Sequence, residues 1–191
     1  MWLSPPGKNL TFSILLKPHF LTISNQFLLN KAVCIAINEV LRQIIGRSVK
    51  IKWPNDVYVD TNKAGGILIE NIIQGNNWKC AIIGIGLNVN QVEFDPQLKT
   101  VTSIAKILHS DYDLQVLLAE LCSSIEVWYL KLRAGKIKEI TQTYLTRLYR
   151  FEETCTYRTK EGILTGKITN VSDEGLLIID HGSYKRCYNI K

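Results

Sequence analysis

The sequence predicts an α+β protein, in which a mixed sheet with helices is followed by a small β-barrel. Three observations support this fold class. Alternating or continuously apolar runs predict strands in the first half of the chain. Stretches with an apolar residue every three or four positions predict helices. Near the C-terminus, short β-rich runs separated by glycine-containing turns predict a small barrel or curled sheet.

The first elements are a strand, a helix and two short strands. Residues 9–16 alternate and then become continuously apolar, so they predict a strand that ends before Pro18. From about Asn25 an amphipathic helix is predicted, with Gly46 as its C-terminal stop. The runs 49–53 and 57–59 predict short strands on either side of a Pro-Asn-Asp turn.

The middle of the chain predicts a hairpin and then two helices. Residues 66–72 and 79–88 are aliphatic strands joined by a turn at 74–77. Apolar residues recur at helical spacing from Leu114 to Leu132, after the candidate cap Asp113, and again from Ile137 to Leu148.

Residues 154–159, 162–171, 176–180 and 184–188 predict the four strands of the last unit. We place the domain boundary near residue 150, with a larger unit at 1–149 and a small one at 150–191. The small unit is expected to pack on the larger one, because so few residues form little core on their own.

Composition excludes several classes of protein. The 191 residues are 46% hydrophobic and 21% charged, as is usual for soluble globular proteins. Neither a membrane span nor a secretory signal is predicted, which favours the cytoplasm. Five scattered cysteines without a C-x-x-C spacing and three separated histidines predict neither a disulfide framework nor a metal site.

The net charge of +6 lies mostly before residue 150 and clusters near Lys52. A basic pocket for a phosphate-bearing small molecule accounts for this cluster at least as well as a DNA-binding face does. A nucleic-acid partner is therefore not favoured.

Two motifs predict the chemistry. The first is Lys52-Trp53-Pro54-Asn55-Asp56. A lysine held beside a rigid Trp-Pro break can lower the repulsion between a carboxylate and the α-phosphate of ATP, and it can stabilise the charge of the transition state. Lys52 is therefore the catalytic candidate. Asp56 has two interpretations, as a helper of phosphate-bound Mg²⁺ or as a turn residue.

The second motif consists of glycines at the heads of two aliphatic strands. Gly65 and Gly66 precede Ile67, while Gly84 and Gly86 are separated by one residue and so face the same side of a strand. Glycine in a strand permits the close approach of a flat ligand, although Gly-Gly is also compatible with a β-bulge. The Gly-x-Gly lacks the third glycine of a dinucleotide fingerprint.

Together these motifs resemble those of the biotin protein ligase family, and the match spans nearly the whole chain. The residues that carry it are Trp2 to Leu10, Lys52 to Asp56, Lys63 to Glu70, Gly84 to Asn90 and Val101 to Ile104. The resemblance implies a catalytic domain related to class II aminoacyl-tRNA synthetases and a C-terminal domain of SH3 type. It also allows a homodimer.

The resemblance further implies an activity in two steps. Biotin and ATP, with Mg²⁺, give biotinyl-adenylate, and a lysine of the biotin carrier domain of a biotin-dependent carboxylase then takes the biotinyl group. Lys52 would contact biotin and phosphate. The biotin/adenylate site would comprise Lys52, Gly65, Gly66, Ile67, Gly84 and Gly86, and the nucleotide would lie near Trp2, Asn9 and Asn88.

The sequence departs from the family at its N-terminus. In the family, a Gly/Arg-rich loop that closes over the adenylate precedes the Trp-x-Ser-Pro stretch, whereas this sequence contains no Gly-Arg-Gly-Arg run. We therefore expect an N-terminally truncated member whose activity is impaired by loss of the loop. No winged helix and no repressor function are expected.

Two other functions stay open at this point. A lipoate or octanoate ligase would use the same adenylation chemistry on a linear acyl chain. A non-catalytic module would bind a carrier protein or nucleic acid through its basic surface, and such binding would weaken steeply with salt if it were purely electrostatic.

Overall fold

A computed structural model describes residues 4–46, 48–75, 77–159 and 162–189. The chain forms a five-stranded sheet covered on one face by helices and a separate four-stranded sheet near the C-terminus. The elements in chain order are β1 (Leu10–Leu16), α1 (Phe27–Ile45), β2 (Val49–Lys52), β3 (Asp56–Val59), β4 (Asn62–Gln74), β5 (Asn77–Leu87), α2 (Ile104–Leu108), α3 (Leu114–Arg133), α4 (Ile137–Arg147), β6 (Thr154–Thr159), β7 (Gly162–Val171), β8 (Leu177–Asp180) and β9 (Lys185–Tyr188).

The large sheet has the strand order β1-β5-β4-β3-β2, and all its described strand pairs are antiparallel. Parallel pairing among the described residues is limited to isolated bridges such as Ile51–Leu148. This corrects the expectation of a mixed sheet. The reason is connectivity, because β2 to β5 follow one another through short turns and only a longer crossover could make them parallel.

The core lies between one face of this sheet and the helices. Helix α1 is buried along most of its length and ends at Gly46, which has φ 62°. Helix α3 begins at the predicted cap, since the Asp113 carboxylate accepts hydrogen bonds from the backbone of Gln115 and Val116. The predicted helices are thus confirmed, because their apolar stripes are the surfaces that pack.

Helix α2 was not predicted from the sequence. It has five residues, too few for a periodic pattern, and it buries Ile104 and Ala105. Its N-cap is Ser103, whose hydroxyl accepts a hydrogen bond from the backbone of Lys106 at 3.1 Å. No helix in the described part of the chain is both long and apolar enough to cross a membrane.

The small sheet has the order β6-β7-β8-β9, so all four predicted strands form. Among the described residues its edge strands β6 and β9 do not pair with each other, so the sheet is open and a closed barrel is not observed.

Several contacts between described residues join the small sheet to the rest of the molecule. The buried Lys31 ammonium of α1 donates to Val171 O at 3.0 Å and contacts the Asp173 carboxylate at 3.2 Å. The Trp53 indole donates to Gly175 O at 2.9 Å. Gly175, at φ 94°, lies so close to the Phe27 ring that a Cβ there would be 2.5 Å from a ring carbon. A turn of the small sheet is therefore held by α1 and by the residue that follows Lys52.

Candidate functional site

The candidate site lies on the face of the large sheet opposite the helices. Pairing places Lys52 opposite Asp56, Asp56 opposite Gly66, and Gly66 opposite Gly86. Directly paired residues in antiparallel strands share a face of the sheet. Four residues from four strands therefore form one row across this face, which we call the Lys52 row: Lys52, Asp56, Gly66 and Gly86.

A second row runs beside the first. Leu68 pairs with Gly84, which pairs with Ser13 of β1. A Cβ built on Gly84 would have Leu68 O at 3.7 Å and the Ser13 hydroxyl at 3.9 Å as its nearest neighbours, which are ordinary contact distances. Leu68 is 59% exposed. This part of the face is therefore a shallow, partly apolar surface without side chains over the glycine.

The structure separates two predicted binding residues from this face. A Cβ on Gly65 would lie 2.3 Å from a methyl of Leu87 and 2.8 Å from Gly86 O, so Gly65 permits close packing on the helix side. Ile67 is 3% exposed and belongs to the core. Adjacent residues of a strand point to opposite faces of the sheet. The Cβ positions of Gly65 and Gly66 therefore lie on opposite faces, and only Gly66 faces the candidate site.

The Lys52 side chain is exposed and leans toward Tyr58. Its ammonium donates to the Tyr58 hydroxyl at 3.0 Å and lies 4.6 Å from the ring centroid. It also lines an open cavity of about 920 Å³ between the two sheets. The Lys52 amine thus lies between this cavity and the sheet face that carries Gly66 and Gly84.

A second lysine lies closer to Gly66. The Lys63 ammonium forms an ion pair with Asp56 at 2.6 Å, and a Cβ on Gly66 would be 3.3 Å from the Asp56 carboxylate and 3.5 Å from the Lys63 amine. Sequence reasoning included Lys63 in a motif but did not make it a site candidate. A signal was available, because a lysine and an aspartate that flank a tight turn are often brought together by the strands.

The two predicted nucleotide-binding asparagines hold the end of β5 in place. The Asn9 side chain accepts from the backbone of Val89 at 3.0 Å and donates to the Gln91 side chain at 2.6 Å. Asn88 is 5% exposed and donates to Thr102 O at 3.0 Å. Trp2 lies outside the described residues. These roles in nucleotide binding stay predictions.

The packing of the glycines leads to a test of stability. Gly65→Ala should lower the free energy of unfolding by about 2 kcal/mol, because the added methyl meets backbone as well as a side chain. Gly84→Ala, the matched control on the open face, should change it by less than about 0.5 kcal/mol. Urea denaturation followed by circular dichroism measures both. Equal midpoints for the two variants would contradict the assignment of the two glycines to opposite faces.

Known proteins resemble this chain in sequence and in fold. Residues 1–88 match the model of the biotin/lipoate A/B protein ligase family. The chain is 26% identical over 183 residues to the bifunctional ligase/repressor BirA of Bacillus subtilis (strain 168), an alignment that covers 94% of this chain and 56% of that protein. The chain thus spans about half the length of this relative.

Two further similarities extend over most of both chains. The biotin–[acetyl-CoA-carboxylase] ligase of Paracoccus denitrificans is 25% identical over 184 residues, covering 93% of this chain and 76% of that protein. The solved structure of biotin protein ligase from Aquifex aeolicus in complex with biotin and ATP has a TM-score of 0.78 and 27% identity, covering 94% of this chain and 75% of that one.

Proposed function

We propose that this chain, which belongs to the biotin/lipoate A/B protein ligase family, activates biotin with ATP and transfers the biotinyl group to a lysine of a biotin carrier domain. The observation that carries the proposal is the Lys52 row, in which a lysine, an aspartate and two glycines lie on one face of the sheet. The similarity to a ligase solved with biotin and ATP supports the choice of substrates.

Biotin would lie on the sheet face formed by the Lys52 row and by the neighbouring row that contains Gly84. Its bicyclic head is flat, and Gly66 and Gly84 leave backbone uncovered where a side chain would otherwise stand. Leu68 and Ser13 flank this surface and offer one apolar contact and one hydroxyl. Gly65 and Ile67 would contribute by shaping the strand from the core side.

Lys52 would act in the first step. A biotin carboxylate oxygen attacks the α-phosphorus of ATP, the bond from that phosphorus to the bridging oxygen breaks, and its electron pair leaves with pyrophosphate. The Lys52 ammonium lies at the edge of the sheet face that carries Gly66 and Gly84. A cation there lowers the repulsion between the carboxylate and the phosphate, and it stabilises the added charge of the transition state. The Lys63–Asp56 pair would hold the same row in position.

In the second step, the neutral amine of a carrier-domain lysine attacks the biotinyl carbonyl. An amide bond forms, the acyl–phosphate bond breaks, and AMP leaves with the electron pair, while the amine loses a proton. The exposed sheet face would admit this acceptor, since Leu15 and Leu68 are more than half exposed there, at 57% and 59%.

The described residues do not build a protein site for Mg²⁺. No group of three or more His, Cys, Asp and Glu side chains in them is placed to hold a metal ion, and the Asp56 carboxylate is paired with Lys63. Mg²⁺ often binds mainly through substrate phosphates. We therefore propose that it arrives with ATP as part of the substrate.

The proposal also covers the domains of the chain, its cellular compartment and its oligomeric state. Residues 1–149 would form a catalytic domain related to class II synthetases, and residues 150–191 an auxiliary domain of SH3 type. The five free cysteines fit a reducing compartment such as the cytoplasm. Association of two copies through the exposed apolar residues of the sheet face would give a homodimer.

The test uses the purified chain with radiolabelled biotin, MgATP and a biotin carrier domain. Label bound to the carrier, dependent on ATP, is the expected result. Calorimetry with biotin and with lipoate identifies the acid that the chain binds. If lipoate binds more tightly than biotin, the proposed function becomes that of a lipoate ligase. A chain that binds neither acid would reject the proposal altogether.

A variant of the open face tests where biotin lies. Gly84→Val should weaken biotin binding at least about tenfold, because its methyl groups would stand where the ring is placed. Gly84→Ala should have a smaller effect, and the affinity for AMP should stay within about twofold in both. Calorimetry provides these values, and an unchanged biotin affinity in the valine variant would move the site away from this row.

A further inference from the structure

The Lys52 ammonium is held by a neutral side chain. Strand pairing places the Asp56 carboxylate opposite Lys52, but Asp56 is already in an ion pair with Lys63 at 2.6 Å. No ion pair between described residues includes Lys52. Its amine instead donates to the Tyr58 hydroxyl at 3.0 Å and lies 4.6 Å from the centroid of the same ring. A hydroxyl and a ring face hold a cation without cancelling its charge, so the charge stays available to an anionic substrate.

Tyr58 is itself fixed by its surroundings. It is 7% exposed, and its ring centroid lies 5.6 Å from that of Tyr149. Tyr149 is in turn attached to β2, because its backbone N–H donates to Ile51 O at 2.8 Å and the preceding Leu148 forms a bridge with Ile51. The Tyr58 hydroxyl therefore has a defined position relative to the strand that carries Lys52. The flexible four-carbon stem of an exposed lysine has no such position on its own.

The contact between Tyr58 and Lys52 is a diagonal one. The residue directly opposite Tyr58 in β2 is Lys50, whose amine reaches Thr146 O at 3.4 Å. Diagonal neighbours in a sheet are within reach of long and aromatic side chains. The two lysines of β2 that share this face thus have different partners, and Lys52 is the one that contacts the tyrosine.

We propose that Tyr58 is a positioning residue for the adenylation step. The inference rests on the proposed function and deepens it. The Tyr58 hydroxyl and ring keep the Lys52 amine at the edge of the biotin face before the reaction begins. A charge held in place in advance stabilises the transition state more than one that must reorganise as negative charge develops. In this role Tyr58 acts through Lys52 and does not contact biotin or ATP.

The first test is Tyr58→Phe, which keeps the ring and removes the hydroxyl. The kcat for biotin-dependent release of pyrophosphate from ATP should fall about tenfold, the usual effect of losing a hydrogen bond to a charged group. The KM for biotin should stay within about twofold, because Lys52 acts mainly on the transition state. Tyr58→Leu, which also loses the ring, should be slower than Tyr58→Phe.

Tyr129→Phe is the matched control for the lost hydroxyl. Tyr129 is a partly buried tyrosine of α3 that packs on the core and whose ring contacts Phe20. Its kcat should stay within about twofold of wild type. Circular dichroism of each variant checks that the fold is retained.

A double-mutant cycle separates positioning of the lysine from a general structural role. In the Lys52→Ala background, Tyr58→Phe should change the rate by less than about twofold, because no amine remains for the hydroxyl to hold. An equal loss of about tenfold in both backgrounds would show that Tyr58 supports the site independently of Lys52, and it would overturn the inference.

Other outcomes also decide against it. A wild-type kcat in Tyr58→Phe, in a protein that forms the adenylate, would reject the role of Tyr58 and leave the proposed function intact. A loss confined to the KM for biotin would make Tyr58 a binding residue and not a positioning one. A wild-type chain that forms no adenylate would reject the proposed function, and this inference with it.

Discussion

Lys52→Ala should slow adenylate formation by about 10²–10³-fold, the usual cost of losing one preorganised charge donor in an active site. The fold should be unaffected, because the side chain is exposed and its partner is the Tyr58 hydroxyl. Biotin-dependent release of pyrophosphate from ATP measures the first step directly. Because the lysine acts on the transition state, the rate constant should fall more than the affinity for biotin does.

Lys50→Ala is the control for this change. Lys50 lies two residues earlier in β2, so it faces the same side of the sheet, but it reaches Thr146 O and does not line the cavity. Removing its charge should change the rate by less than about threefold, the effect of a distant, screened charge. Equal losses in the two variants would mean that overall charge, and not the position of Lys52, matters.

The second large effect concerns stability. Lys31→Ala should lower the free energy of unfolding by about 3 kcal/mol, since it removes a fully buried side chain and leaves Val171 O without its donor. Lys31→Met keeps most of the packing and should cost less. Lys79→Ala, at an exposed lysine of β5, should stay within about 0.5 kcal/mol. Urea denaturation measures all three, and an unchanged midpoint for the alanine variant would refute the assigned role.

The same lysine predicts a dependence on pH. Burial lowers the pKa of Lys31 below its ordinary value of 10.5, although the Asp173 charge opposes this shift. The unfolded chain therefore binds this proton more tightly than the folded one does. Stability should rise with pH between the lowered pKa and about 10.5, and be lost as pH falls through that window. The difference in unfolding free energy between wild type and Lys31→Met isolates the effect, and a difference independent of pH would contradict it.

These residues also connect stability with chemistry. Lys31 holds the turn of the small sheet at Val171 and Asp173, while Trp53, next to Lys52, donates to Gly175 of the same turn. Because the cavity that Lys52 lines has one wall on each sheet, its dimensions depend on these contacts. Trp53 of the motif is thus a docking contact for the small sheet as well as a neighbour that supports the lysine.

Much of the fold could be predicted from local patterns. Helices α1, α3 and α4 were predicted because their apolar stripes face the core, and the four C-terminal strands because glycine-containing turns separate them. The comparisons found similarity to the same family that the Lys52 motif and the glycine strands indicated. Helix α2 was missed because five residues carry no periodicity.

What the chain determined by itself is the type and order of its elements and the residues of its motifs, because hydrophobic period, caps and turn residues act over short distances. Strand register, which only the tertiary structure decided, put Lys52 in one row with Gly66 and Gly86 and turned Gly65 and Ile67 to the core. The packing of the two sheets likewise brought Arg150 and Arg158 to the same cavity as Lys52. Such contacts join residues distant in sequence, and no local preference of either partner specifies them.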